Sequence, residues 1–300
     1  MSDQKKGVLF AAGAYLMWGL IPLYWKQIHY VSSIEILVGR VIWSFIFTAI
    51  FILLIRQRKE LIVDIKNLWG QQKQFWSLFM ASLIISLNWG IYIWAVNNDH
   101  LLQASLGYYI NPLISVLFGL IFFKEKLSAA TIVAVVIAGI GVCMQVVTGG
   151  TFPWVSLTLA LSFALYGVFK KKIPLDATRG LAIETLFILP IAIIGYIYIA
   201  MQTEVAFLHV DWKTNFLLIG SGIVTALPLV LFAKGAQKIP LYLMGFIQFI
   251  SPTMSLIIGI YVYKEPFSST EFFTFCCIWL AVLIFSLSKF MDARKRYVTA

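Results

Sequence analysis

Residues 101–128 read LLQASLGYYINPLISVLFGLIFFKEKLS, and residues 241–268 read LYLMGFIQFISPTMSLIIGIYVYKEPFS. Slid by 140 positions, the two stretches align without a gap and share eight identities. Apolar matches such as Leu101/Leu241 and Ile110/Ile250 arise easily by chance, whereas Pro112/Pro252 and Lys124-Glu125/Lys264-Glu265 do not. Similarity at a fixed offset marks a duplicated unit. Each copy also holds an uncharged, mostly apolar run of more than 20 residues. At about 1.5 Å rise per residue, such a run crosses a hydrocarbon core of roughly 30 Å.

The rest of the chain has the same character. Of its 300 residues 61% are hydrophobic and only 12% charged, against roughly half and a quarter in soluble domains. Ten apolar runs fall at about 7–25, 34–55, 75–96, 101–123, 128–147, 152–170, 180–200, 214–235, 240–262 and 268–289. The longest connections, 56–74 and 201–213, are too short for a folded soluble domain. Any site therefore lies among the helices or their short loops. Lys5 and Lys6 precede the first run as in a signal peptide, but that run is too long for an h-region and reads as a retained helix.

A net charge of +10 invites a nucleic-acid partner until the basic residues are placed along the chain. With the N-terminus inside, 19 of the 23 Lys and Arg residues fall in inner segments, three (Lys26, Lys213, Lys264) fall in outer ones, and Arg40 lies within a run. This is the positive-inside bias of membrane insertion. It predicts a multi-pass protein of the cell membrane with both termini cytoplasmic. It also explains Lys170–Lys172 and Arg294–Arg296 without a nucleic acid.

An odd number of runs in each half turns the second half over relative to the first. Lys124-Glu125 then faces the cytoplasm and Lys264-Glu265 the outside. The expected fold is an all-α membrane protein of ten transmembrane helices, built as two inverted five-helix repeats over 1–147 and 151–300. Weaker echoes, such as Trp18-Gly19 against Tyr166-Gly167, agree. Inverted repeats are typical of alternating-access transporters, and some channels have them too.

The stretches AAGAYLMWGLIPLYWK, IEILVGRVIWS, LNWGIYIWAVNN, LLQASLGYYINPL, ALSFALYGVFKKKI and AIETLFILP resemble the RarD proteins of the drug/metabolite transporter superfamily, within its EamA group. The resemblance spans nearly the whole chain. It implies a central cavity between the halves, and export of small metabolites or chloramphenicol-like compounds. Gly39 and Gln103 stand where the family often has His and Glu, which removes two ionisable groups that a proton pathway would use.

Candidate site residues follow from depth. Asn111-Pro112 and Ser251-Pro252 fall near the midplane. Each proline removes a donor and crowds the carbonyl four residues earlier, that of Tyr108 or Gln248. Paired interruptions of this kind point to a substrate site, although kinks satisfied by neighbouring helices are the plainer explanation. Tyr15, Trp18, Asn88, Trp89, Tyr92, Tyr108, Tyr166 and Gln248 lie at comparable depth, and Gln103 begins the same helix as Tyr108. Aromatic walls with a few amides and hydroxyls suit amphipathic solutes. Helix–helix hydrogen bonding is the competing role. Trp25, Trp76, Trp94, Trp154 and Trp212 fit an interfacial belt instead.

Arg40 and Glu184 are the charges most clearly inside runs, at corresponding early positions of the two halves, and are candidates for coupling or gating. Snorkelling to the headgroups competes for Arg40. His29, His100 and His209 are scattered over outer connections, and Cys143, Cys276 and Cys277 form no ligand pattern. Neither a metal site, a cofactor site, a P-loop nor a nucleophile elbow is expected. The expected activity is secondary transport of a small solute across the bilayer. A gradient-independent facilitator, a membrane sensor and a membrane enzyme are the alternatives.

Overall fold

The structure, a computed structural model, describes residues 3–124, 128–149, 152–170, 173, 175–236, 238–239 and 247–298. Helices α1 (Asp3–Lys26), α2 (Ser33–Leu54), α3 (Arg58–Gly70), α4 (Gln72–Asn97), α5 (Leu101–Phe123) and α6 (Ala129–Gly149) make up the N-terminal part. They are followed by α7 (Trp154–Lys170), α8 (Ala177–Gln202), α9 (Trp212–Ala236), α10 (Ile250–Ile257, continued by a π turn over Ile258–Val262) and α11 (Ser269–Val298). Among the described residues there is no strand.

Eight of these helices are long and apolar enough to cross a membrane: α1, α2, α4, α5, α6, α8, α9 and α11. The runs expected at 152–170 and 240–262 are realised as shorter apolar helices, Trp154–Phe169 and Ile250–Val262. Residues 240–246 of the latter run lie outside the described residues. Large apolar side chains point outward along the spans, among them Leu54, Val147, Ile194 and Phe216. Water would reject that surface and hydrocarbon accepts it.

One connection holds more than expected. Residues 56–74, too polar for a span, contain α3. Its Leu61, Ile65 and Leu68 recur at helical spacing and pack with Leu78, Ile173 and Ile183, while Arg58, Lys59, Glu60 and Lys66 face out.

Several helix starts are satisfied by side chains, which meet N–H groups that would otherwise be free. Ser32 accepts from the Glu35 amide, Asp176 from Thr178 and Arg179, and Asp211 from Thr214. At the start of α11, Ser268 and Glu271 form a reciprocal capping box. The first turn of α5 is capped from a distance: Glu265 accepts from Leu101 N at 2.8 Å and Leu102 N at 2.9 Å.

Similar ties cross between remote connections. Glu35, at the start of α2, accepts from Ala206 N and Phe207 N in the connection before α9. Arg179, at the same turn of α8, pairs with Asp64 of α3 at 2.6 Å. Both residues lie three positions after their N-caps, Ser32 and Asp176. Glu35 is only 5% exposed, because its carboxylate anchors the backbone of that loop.

The packing of helices has a regular plan. α1 lies on α9 and α7 on α4; α1 on α10 and α7 on α5; α2 on α9 and α8 on α4. α2 meets α8, α5 meets α10 and α6 meets α11. Exchanging α1, α2, α4, α5 and α6 with α7, α8, α9, α10 and α11 maps this set onto itself. Small residues allow the closest crossings. A Cβ on Gly222 would overlap the Trp43 carbonyl, and one on Gly107 would stand 2.7 Å from the Ser156 oxygen.

Candidate functional site

Arg40 occupies the third turn of α2 and is only 6% exposed. Its Nε donates to Thr225 Oγ1 of α9 at 2.8 Å. Its guanidinium carbon lies 4.3 Å from the Trp89 ring centroid and 5.5 Å from that of Trp25. Among the described residues it makes no ion pair. Trp25 is therefore not a belt residue, since it is wholly buried beneath the guanidinium. A tryptophan near a helix end joins the belt only if that face meets lipid. Here α1 turns it inward, whereas Trp76, Trp154 and Trp212 are 56%, 42% and 80% exposed.

Helix α4 contributes Asn88, Trp89 and Tyr92, which fall on one side because they are one to four positions apart. Tyr92 meets Tyr108 of α5 edge-on at 5.7 Å, and Tyr108 donates to Asn88 Oδ1 at 3.3 Å. Asn88 is fully buried and its amide donates to Leu159 O at 3.0 Å and Ser162 Oγ at 2.9 Å on α7. It works as a clamp joining α4, α5 and α7. Asn111 likewise donates to Ala160 O of α7 at 3.1 Å.

Glu184 stands eight residues after its N-cap Asp176, as Arg40 does after Ser32. It is 3% exposed and accepts from Tyr166 OH at 3.1 Å. With Ser82, Ser86, Thr185 and Trp89 it lines a cleft between α2, α4 and α8 that is too narrow for free water. Trp89 thus carries Arg40 on its ring and borders the cleft of Glu184. A second cavity, of about 140 Å³, is bounded by Glu35, Gly39, Trp43, Tyr196, Phe207 and Leu218.

The remaining expected residues sit elsewhere. Tyr15 and Trp18 form an aromatic group with Phe232 of α9, with centroids 5.1–6.1 Å apart. Gln103 lies at the start of α5, where its Oε1 is buried with no partner among the described residues. Pro112 is inside α5 as expected. Pro252 differs from its expected role as a mid-helix break. It occupies the first turn of α10, where an amide would have no helical acceptor, just after a turn in which Ser251 N reaches Gln248 O at 3.4 Å. Its own carbonyl accepts from Ser105 Oγ of α5 at 2.7 Å. Pro22, Pro190 and Pro228 also lie within helices.

Several of these partners carried no sequence signal. Thr225, Ser105 and Trp25 become recognisable only when their helices are brought together. Among the described residues no group of three His, Cys, Asp or Glu is placed to hold a metal ion.

A membrane-spanning helical chain with buried charges between its helices is a multi-pass membrane protein, and comparison with known proteins specifies which kind. The sequence pattern of the EamA-like transporter family matches residues 5–147 and 153–287. A transporter called YojE from Bacillus subtilis, described as uncharacterized, is 48% identical over 96% of both chains. The protein RarD of Escherichia coli is 39% identical over 97% of both. The chloramphenicol-sensitive protein RarD of Pseudomonas aeruginosa is 28% identical over 95% of this chain and 94% of its own. A solved crystal structure, described simply as that of a protein, superposes with a TM-score of 0.58 at 16% identity, covering 94% of this chain and 97% of its own. The chain belongs to the EamA-like transporter family and is a RarD-type member of it.

Proposed function

We propose that this membrane transporter is a secondary exporter of small amphipathic solutes, such as amino acids or chloramphenicol-like compounds, working by alternating access. Two inverted five-helix halves, 1–147 and 151–300, rock about a site near the midplane of the cell membrane, with both termini in the cytoplasm. Arg40 and Glu184 serve coupling or gating. Trp89, Tyr92, Tyr108 and Tyr166 form the walls, with Tyr15, Trp18, Gln103 and Gln248 further along the path. Asn88, Asn111, Pro112, Ser251 and Pro252 hold the helices that carry them.

The observation that carries this reading is the exchange-symmetric packing, with a charge at the same turn of α2 and α8 on either side of Trp89. Backbone geometry supports it as well: Lys124 and Lys264, equivalent at the 140-residue offset, take the same left-handed conformation with φ of 52° and 53°. The relatives named as transporters and the chloramphenicol-sensitive relative support the solute class.

The test is flux of labelled chloramphenicol and a panel of amino acids into liposomes holding the purified protein, with and without a pH gradient. Saturable flux absent from empty liposomes is expected. Rates unaffected by the gradient would assign facilitated diffusion, and no flux across the panel would contradict the proposed transport of these solutes.

A further inference from the structure

We propose that the Arg40 site binds an anion, namely a carboxylate carried by the solute or a free halide. This deepens the transport reading given above and rests on it.

Two independent orphans meet at this point. The first is Arg40, whose guanidinium carries five N–H donors, of which only that on Nε has a protein acceptor among the described residues. No carboxylate lies within ion-pair distance of it among those residues. Its neighbours are ring faces, which attract a cation but accept only weakly from its N–H groups. A cation held in this way between membrane helices is costly unless an anion joins it. The second orphan is Trp25. Its Nε1–H is buried with no acceptor among the described residues, and its ring is one of the two against which Arg40 rests.

The surroundings offer neutral hydroxyl oxygens rather than a counter-charge. Thr225 already accepts from Arg40 and passes its own hydrogen to the Ser221 carbonyl. Tyr108 donates to Asn88. Two sets of unmet donors beside aromatic rings, with no carboxylate in ion-pair range among the described residues, suit an anionic group with an apolar body. A neutral carbonyl could accept from these donors but would leave the guanidinium charge unbalanced, and a cationic group would add to it.

The proposal is tested on the purified full-length chain in detergent, by titrating 3-phenylpropanoate, its neutral amide 3-phenylpropanamide, and sodium chloride, and reading thermal stabilisation. The carboxylate is expected to bind at least about tenfold tighter than the amide. Competition by chloride at millimolar concentration would assign the site to a free halide, and its absence would assign it to the solute's carboxylate.

Arg40→Met should abolish the preference for carboxylate over amide while its ligand-free melting temperature stays at or above wild type, because an uncompensated charge is removed. Trp25→Phe keeps an aromatic face toward Arg40 and removes the orphan N–H together with the second ring of the indole. It should weaken the carboxylate several-fold and leave the amide unchanged, so the test stands even if Arg40→Met fails to fold. Equal binding of carboxylate and amide, with no response to chloride, would overturn the proposal, as would an unchanged preference in both variants. Solute flux in liposomes without any such preference would sink the anion site and leave transport standing. Arg40-dependent binding without flux of any solute would do the reverse.

Discussion

Asn88 uses both its amide hydrogens and its carbonyl oxygen within the protein, joining α4 to α5 and α7. Asn88→Ala should lower stability by about 1 kcal/mol and at most about 2 kcal/mol, since hydrogen bonds between membrane helices are individually modest. The fall in melting temperature of the purified protein measures this. Trp89, one position on, supports Arg40 and borders the Glu184 cleft. Trp89→Ala should leave a folded protein whose solute flux in liposomes falls at least about tenfold, and wild-type flux would remove Trp89 from the path. The sequence made the depth of both residues legible, together with their polar or aromatic character. It did not reveal which neighbour each faces. A change of one position rotates a side chain by about 100° around the helix, and only the packing decides whether it meets a partner or a space.

At the scale of elements, the crossing of α2 and α9 depends on the absence of a side chain at Gly222. Gly222→Ala should cost about 1–3 kcal/mol by forcing the two backbones apart. Thermal unfolding in detergent reads it, and an unchanged midpoint would show that the crossing yields. The start of α9 gives a pH dependence. The Thr214 hydroxyl and amide donate to Asp211 and hold its carboxyl below the usual carboxylate range. A folded-state value depressed in this way favours folding above the ordinary carboxylate pKa, and the gain is lost as pH falls through the lowered value. Asp211→Asn should flatten the part of the stability profile that falls away below the ordinary carboxylate range.

The long spans were legible because lipid demands a minimum apolar length. α3 was also written in the chain, in the spacing of Leu61, Ile65 and Leu68, but a search for apolar length passes over a short amphipathic helix. Pro252 was legible as a helix disturbance. Its position in a first turn was not, because that depends on where α10 begins.

For the whole molecule, the 140-residue offset and the basic-residue bias led to an expectation of two inverted halves. The exchange-symmetric packing supports that reading and adds what a one-dimensional comparison does not contain. Glu35 and Arg179, at equivalent turns, each fasten a connection far along the chain, and their opposite charges concealed the correspondence. Arg40 and Glu184 also differ in charge, yet their corresponding positions were already legible in the sequence.

The central claim is that the two halves expose one site alternately to the two sides. It is tested most directly by thiol labelling of oriented vesicles with a membrane-impermeant reagent, after the three native cysteines are replaced. Gly39→Cys would report from the cavity beside α2, and Ser86→Cys from the cleft beside Glu184. Adding a transported solute should change labelling of the first from outside and of the second from inside in opposite directions. Parallel changes at both positions, or none at either, would contradict alternating access.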